Sequence, residues 1–169
     1  IRTPQSIQSY ATLATIIFQT NQNEQHGGQA IPAFDFFMAK GVSKSFRKHL
    51  SSFISFYVAM ESNTAVEEKA IRALIEEHLP SIKTSELERE TLRMALTALQ
   101  INIDKEHLAR VIEKAYFQTR KDTHQAMEGF IHNLNTMHSR GGNQVVFSSI
   151  YYGTDTSAEG RMVIEELLT

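Results

Sequence analysis

Residues 140–161 read RGGNQVVFSSIYYGTDTSAEGR, and this stretch carries most of the information about fold class. Its glycine pair is typical of a loop, whereas residues 144–152 are rich in the β-branched and aromatic side chains that favour strands. These residues do not alternate strictly between apolar and polar, as is typical of a strand covered on both faces. Gly153 predicts a turn, and Thr156 with Glu159 has the pattern of a capping box that opens a final helix. The stretch therefore predicts a loop, one buried-type strand, a turn and a helix.

The rest of the chain has helical patterns. Thr3 and Pro4 predict the start of a first helix, whose apolar side chains recur at helical spacing as far as Phe18. A second helix is predicted from about Val42 to Met60. Three further helices are predicted from caps: Thr64 with Glu67, Ser85 with Glu88, and Asp104 for a long helix ending near Met137. A lone buried strand has no partner for its backbone hydrogen bonds, so we expect the rest of its sheet to lie outside this sequence.

Composition limits the classes of function. The formal net charge of -2 gives no general basic field for binding nucleic acid. No apolar stretch approaches the roughly 18–20 residues of a membrane span, and no signal peptide is visible, so a cytoplasmic location is expected. The absence of cysteine excludes a thiol nucleophile and a thiolate metal site within this sequence. We treat residues 1–169 as a single unit, with residues 61–103 as a candidate peripheral helical subdomain.

Side chains for catalysis or metal binding are not arranged in recognisable motifs. None of the seven histidines has the spacing of a metal site. His124 and His132 could share one helix face, but two ligands are too few for a stable site. No Gly-x-Ser-x-Gly occurs, and the paired glutamates fall on predicted helix faces, where charges are usually solvated. The sequence predicts no catalytic residue and no metal ligand.

Two glycine loops and one turn are candidates for binding. Residues 25–29 read Gln-His-Gly-Gly-Gln after the first helix, and Arg140–Asn143 precedes the predicted strand. Glycine lets backbone N–H groups approach a ligand, and the flanking Gln, Asn and Arg could bind phosphate or base. Thr154 and Thr156 lie where a helix N-terminus would favour an anion. The alternative is that the loops are only a helix stop and a connection, and that the turn is an ordinary helix cap.

Two stretches carry a resemblance to a known family. Residues 133–161 closely resemble a characteristic stretch of anaerobic (class III) ribonucleoside-triphosphate reductases, and residues 125–132 fit the same region. Residues 6–29, followed by Ala-Ile-Pro at 30–32, are similar to another stretch of that family. In one departure, Tyr151-Tyr152 stands where an Asn-Tyr pair is expected. The order of the stretches matches the family, so the chain is identified as an internal fragment of the reductase large subunit.

The resemblance implies a fold and a chemistry for the complete enzyme. The fold is a ten-stranded α/β barrel, so this chain is expected to be mainly α with one buried-type strand, as a fragment of that barrel. The chemistry uses a glycyl radical, installed by an iron–sulfur, S-adenosylmethionine-dependent activating enzyme, and a thiyl radical on a cysteine. The chain has no cysteine and no radical segment, so it is expected to be inactive alone and to hold no cofactor.

The resemblance also implies ligands and partners. These are ribonucleoside triphosphates, deoxynucleotide or ATP effectors, a second subunit in a homodimer and the activating enzyme, with no membrane and no direct nucleic acid. The expected contacts with substrate or effector nucleotide are Gln25, His26, Gly27, Gly28, Gln29, Arg140, Gly141, Gly142, Asn143, Ser148, Ser149, Thr154 and Thr156. The alternative function is a stand-alone helical dimerisation module without catalytic activity, whose lone strand pairs across a twofold axis.

Overall fold

The computed structural model describes residues 2–24, 29–31, 34–62, 66–136, 148–150, 155 and 157–169. Within these ranges the chain forms six helices and two short strands. The helices are α1 (Ile7–Glu24), α2 (Phe34–Ser62), α3 (Glu68–His78), α4 (Glu86–Ala98), α5 (Lys105–Thr136) and α6 (Ala158–Leu168). The strands are β1 (Gln29–Ile31) and β2 (Ser148–Ile150). None of the helices in these ranges combines the length and apolar character that a membrane crossing requires.

The predicted fold class, with one buried-type strand in a barrel fragment, is wrong for the part of the chain that the structure describes. This part is predominantly helical, and its sheet has only two strands of three residues each. Strand β2 has a partner: it pairs in parallel with β1, with Gln29 opposite Ser148 and Ile31 opposite Ile150. The local pattern could not show this pairing because it joins segments far apart in sequence. Residues 144–147 and 151–152 of the predicted strand lie outside the described residues.

The chain divides into two compact units, residues 1–44 with 120–169, and residues 45–119. In the first unit an aromatic cluster connects three helices. The Phe130 ring of α5 stacks on Phe34 of α2 at a centroid distance of 5.0 Å and lies 6.2 Å from Phe18 of α1. All three side chains are almost completely buried. Burial of such large side chains is a major source of stability, so this cluster is central to the core of the first unit.

Helices α1 and α2 approach each other closely at Gly41. A β-carbon at this position would lie 3.0 Å from both Cα of Ile7 and the Tyr10 ring. Nearby, the Lys44 ammonium donates a hydrogen bond to the Pro4 carbonyl oxygen at 2.8 Å and lies 5.4 Å from the centre of the Tyr10 ring. Glycine at position 41 therefore allows α1 to pack directly against the α2 backbone.

The second unit has its own apolar core, to which α3 contributes Ile71 and Ile75 and α4 contributes Leu92 and Leu96, all fully buried. The i, i+4 spacing of each pair places both side chains on one helix face. The two helices pack against each other. The amphipathic patterns in this part of the sequence thus correspond to buried helix faces.

Two of the predicted caps in the second unit have different outcomes. The capping box at α4 is confirmed: the Ser85 hydroxyl accepts from the Glu88 N–H at 3.1 Å, and the Glu88 carboxylate accepts from the Ser85 N–H at 3.0 Å. The capping box of Thr64 with Glu67 is wrong. Helix α3 begins at Glu68, with Glu67 itself at the N-cap and without a side-chain cap. Thr64 lies outside the described residues.

The cap of α5 is also confirmed. The Asp104 carboxylate accepts a hydrogen bond of 2.8 Å from the His107 N–H. This backbone hydrogen bond, followed by one from the His107 side chain, holds the pKa of the Asp104 carboxyl below its usual range. The ionised form is therefore favoured in the folded state, because a charged carboxylate accepts these hydrogen bonds more strongly than the neutral acid does.

Replacing Asp104 by alanine should destabilise the protein more at neutral pH than in acid. The pKa of the Asp104 carboxyl is lower in the folded state than in the unfolded state. The stabilisation by Asp104 is therefore fully present at pH values above its unfolded-state pKa of about 4, and it is lost as the pH falls through its folded-state pKa. Urea midpoints of the wild type and Asp104→Ala at several pH values test this expectation. Asn102→Ala, an exposed and uncharged position nearby, is the control. A midpoint difference for Asp104→Ala that stays constant with pH would contradict the expectation.

Candidate functional site

Only part of the predicted nucleotide site falls on described residues. The backbones of Gln29, Ser148 and Ser149 are described, as residues of β1 and β2. The other predicted contacts lie outside the described residues and stay predictions: Gln25, His26, Gly27, Gly28, Arg140, Gly141, Gly142, Asn143, Thr154 and Thr156.

The structure brings together the two strands that follow the predicted loops. Gln29, the last residue of the first predicted loop, is the register partner of Ser148. Ala30 is likewise paired with Ser149. Since the pairing is parallel, the two strands begin side by side and run in the same direction. Two segments near opposite ends of the chain therefore meet at one place, and this meeting was not predicted from the sequence.

A buried carboxylate connects the two segments that follow these strands. Asp35, the second residue of α2, is completely buried, and its Oδ1 accepts from the Phe36 N–H at 3.0 Å. Its Oδ2 accepts from the Asp155 N–H, also at 3.0 Å. Asp155 lies just before α6. The Asp35 side chain, at the beginning of α2, is therefore hydrogen-bonded to the segment that leads into α6. Burying a carboxylate is costly unless it is hydrogen-bonded, and these two bonds offset part of that cost.

Asp35 is not among the functional residues predicted from the sequence. The signal that could have identified it is an acidic residue within the apolar run Phe34-Asp35-Phe36-Phe37, shortly after Pro32. Acidic residues are rarely fully buried unless they are paired. An aspartate flanked on both sides by large aromatic residues is therefore a candidate for a specific buried interaction, although the pattern alone does not identify the partner.

Asp155 also contacts α6. Its Oδ1 accepts from the Ser157 N–H at 2.8 Å, and the Ser157 hydroxyl accepts from the Gly160 N–H at 3.1 Å. The predicted capping box of Thr156 with Glu159 is wrong, because the helix begins one residue later with Ser157 as its N-cap. The carboxylate of Asp155 thus lies beside the N-terminus of α6, where the positive end of the helix dipole favours a negative charge.

A second polar cluster joins α5 and α6 in the same unit. Glu166, whose side chain is 9% exposed, accepts a hydrogen bond from Nε of Arg120 at 2.7 Å. Its other oxygen lies 3.1 Å from Nδ1 of His124, and Nε2 of His124 lies 3.2 Å from Glu128. Each of these groups has a partner of opposite charge or a hydrogen-bond partner, so the cluster is suited to holding the helices together.

His124 and His132 on α5 are the two histidines that could share one helix face and bind a metal ion. Both ring nitrogens of His124 are close to carboxylates, Glu166 on one side and Glu128 on the other. Among the residues that the structure describes, no group of three or more His, Asp or Glu side chains could hold a metal ion.

Comparison with known proteins places the chain in a family. The family of anaerobic ribonucleoside-triphosphate reductases matches residues 1–169, which is the whole sequence. The comparison with curated proteins finds no match. The family match includes both strands, the buried Asp35 and the segment that precedes α6. The resemblance of residues 6–32 and 125–161 is thereby confirmed, and the chain belongs to the anaerobic ribonucleoside-triphosphate reductase family.

Proposed function

We propose that this chain supplies scaffold and nucleotide-contacting loops to an anaerobic ribonucleoside-triphosphate reductase that makes deoxyribonucleoside triphosphates by glycyl and thiyl radical chemistry. The whole-chain family match supports the reductase over a stand-alone dimerisation module. The sequence contains no cysteine, so the thiol on which a thiyl radical forms belongs to another segment of the complete enzyme. Alone, the chain is inactive.

The observation that carries this proposal is the parallel pairing of Gln29 with Ser148. One glycine loop, residues 25–28, immediately precedes Gln29, and the other, residues 140–143, lies a few residues before Ser148. Both glycine loops therefore lead into neighbouring strand ends. We infer that both loops contribute to binding one nucleotide, because backbone N–H groups of glycine loops and an arginine guanidinium are suited to binding its phosphates.

The partners proposed for the complete enzyme are those that the family resemblance implies. Ribonucleoside triphosphates are its substrates, and deoxynucleotides or ATP act as effectors. Two subunits form a homodimer, and an iron–sulfur activating enzyme that uses S-adenosylmethionine installs the glycyl radical. In the complete enzyme the glycyl radical would supply the radical chemistry, and no residue of this chain is assigned to it. The residues of this chain bind and orient the nucleotide.

Replacing Gly27 and Gly28 by alanine in the complete enzyme should weaken nucleotide binding by about tenfold, or ~1.4 kcal/mol, because β-carbons hinder the approach of backbone N–H groups. Equilibrium binding of ATP, dGTP and the ribonucleoside triphosphates measures the effect. The control is Gly129→Ala in α5, where an added β-carbon has no neighbour within 4 Å. Nucleotide titrations identical to the wild type for the double variant would reject the proposal.

A further inference from the structure

A groove of about 280 Å³ lies in the second unit, between the segment that precedes α4, the first turn of α4 and the middle of α5. Its lining includes the buried apolar side chains of Ile82 and Ile112. Two aromatic residues of α5 also line it, the half-buried Tyr116 and the largely exposed Phe117. The volume is close to the lower end of the range for small-molecule sites, about 300–1,000 Å³. The groove can therefore take a small ligand that carries a flat ring.

The half-buried guanidinium of Arg89 lines this groove and is oriented by one neighbour. Its Nη1 donates to the Thr84 carbonyl oxygen at 2.9 Å and to the Thr84 hydroxyl at 3.0 Å. The nearby Arg93, by contrast, forms an ion pair with Glu90. Among the described residues Arg89 has no such carboxylate partner, and its Nε and Nη2 donate no hydrogen bond. The Thr84 bonds thus fix a cation that keeps unused donors.

Two further charged side chains line the groove. Lys83 is exposed, and its ammonium has no acidic partner within the part of the chain that the structure describes. Glu113 of α5 is also exposed and likewise unpaired among those residues. The two cations, Lys83 and Arg89, outnumber the one carboxylate, so the lining favours an anion. Glu113 is an acceptor for hydroxyl or amino groups, which indicates that the anion carries such groups as well.

We propose that this groove binds a nucleoside phosphate. Arg89, with Lys83 beside it, binds the phosphate, because the fork of guanidinium donors matches phosphate oxygens. The base stacks on an aromatic ring of α5, and Glu113 accepts from a sugar hydroxyl or a base amino group. This inference goes beyond the proposed function: the groove lies in the second unit and shares no residue with the glycine loops.

Photolabelling of the complete enzyme with an azidoadenosine triphosphate tests the inference. Trypsin cleaves after Lys114 and Arg120, so a label on Tyr116 or Phe117 is recovered in the peptide of residues 115–120. We expect labelling of this peptide and its loss when excess ATP competes. Tripolyphosphate should compete at a concentration at least about tenfold higher than ATP, because it has no base to stack. Equal competition by the two would overturn the inference in favour of a simple anion site.

Two variants test the basic residues. Arg89→Gln should raise the photolabel concentration for half-maximal labelling by about tenfold, the effect of losing a charge-assisted hydrogen bond. Lys83→Gln should raise it to a smaller extent, because the lysine is exposed. This second variant removes no contact within the described residues, so it remains informative if Arg89→Gln does not fold. The matched control is Arg72→Gln on α3, outside the groove, which should label like the wild type.

The same labelling separates this inference from the proposed function. Absence of ATP-sensitive label on residues 115–120 would overturn the inference, as would equal concentration dependence in Arg89→Gln, Lys83→Gln and the wild type. The double variant of Gly27 and Gly28 should label this peptide normally, because the two sites share no residue. Normal nucleotide titrations for that variant would reject the proposed function and leave the groove as a nucleotide site.

Discussion

Replacing Phe130 by alanine is expected to lower the free energy of unfolding by about 3–5 kcal/mol, the range for a large aromatic side chain removed from a core. Phe130 is 1% exposed and stacks on Phe34 at 5.0 Å while also contacting Phe18. Alanine leaves a cavity between three helices, and structure around a deleted core side chain usually relaxes only partly. Both the lost burial and the unfilled space contribute to the effect.

Urea unfolding followed by circular dichroism measures this loss. Phe130→Leu should give a smaller loss, because leucine fills part of the volume. Phe117→Ala on the same helix is the control, since Phe117 is 56% exposed and its removal leaves no enclosed cavity. Equal losses for Phe130→Ala and Phe117→Ala would show that the aromatic cluster is not the core of the first unit.

The helices of this chain were predictable to different degrees. Asp104 was correctly predicted as the cap of α5, because an N-cap aspartate is a local signal. The first helix was predicted to start at Thr3, but α1 begins at Ile7, and the Ser6 hydroxyl accepts from the Ser9 N–H at 3.2 Å. Both Thr3 and Ser6 are good caps, and choosing between them depends on packing that the sequence pattern does not contain.

Helix α2 shows how packing overrides local preference. The pattern predicted a start near Val42, whereas the helix begins at Phe34. Aromatic residues and aspartate have only moderate helix propensity, so the first two turns carry a weak local signal. However, Phe34, Met38 and Val42 follow each other at four-residue spacing and are all fully buried. Burial of this face accounts for the helical start that propensity alone did not predict.

The candidate site was predictable as separate segments but not as an arrangement. Glycine pairs and strand propensity identified the segments around Gln29 and Ser148, because such features are local. The register between them and the bond from Asp35 to Asp155 join residues more than 100 positions apart. Local spacing carries no information about such contacts, which is also why a strand without a partner was expected.

Two glycines in helix interiors should respond to alanine with opposite signs. Glycine usually costs a helix about 0.5–1 kcal/mol relative to alanine. At Gly129 the space around an added β-carbon is open, so Gly129→Ala should raise the free energy of unfolding by up to ~1 kcal/mol. At Gly41 the β-carbon would meet Cα of Ile7 and the Tyr10 ring at 3.0 Å. Overpacking of this kind costs about 1–3 kcal/mol, which exceeds the gain in helix propensity.

The sign at Gly41 depends on whether its neighbours can move. The Tyr10 ring lies near the Lys44 ammonium, and Ile7 meets the new methyl group with its backbone rather than with the end of a flexible side chain. Relief therefore requires moving α1 as a whole, and we expect Gly41→Ala to be destabilising in urea unfolding while Gly129→Ala is stabilising. Stabilisation by both substitutions would mean that α1 can shift away from α2 at little cost. The close approach at Gly41 would then not be what holds the two helices together.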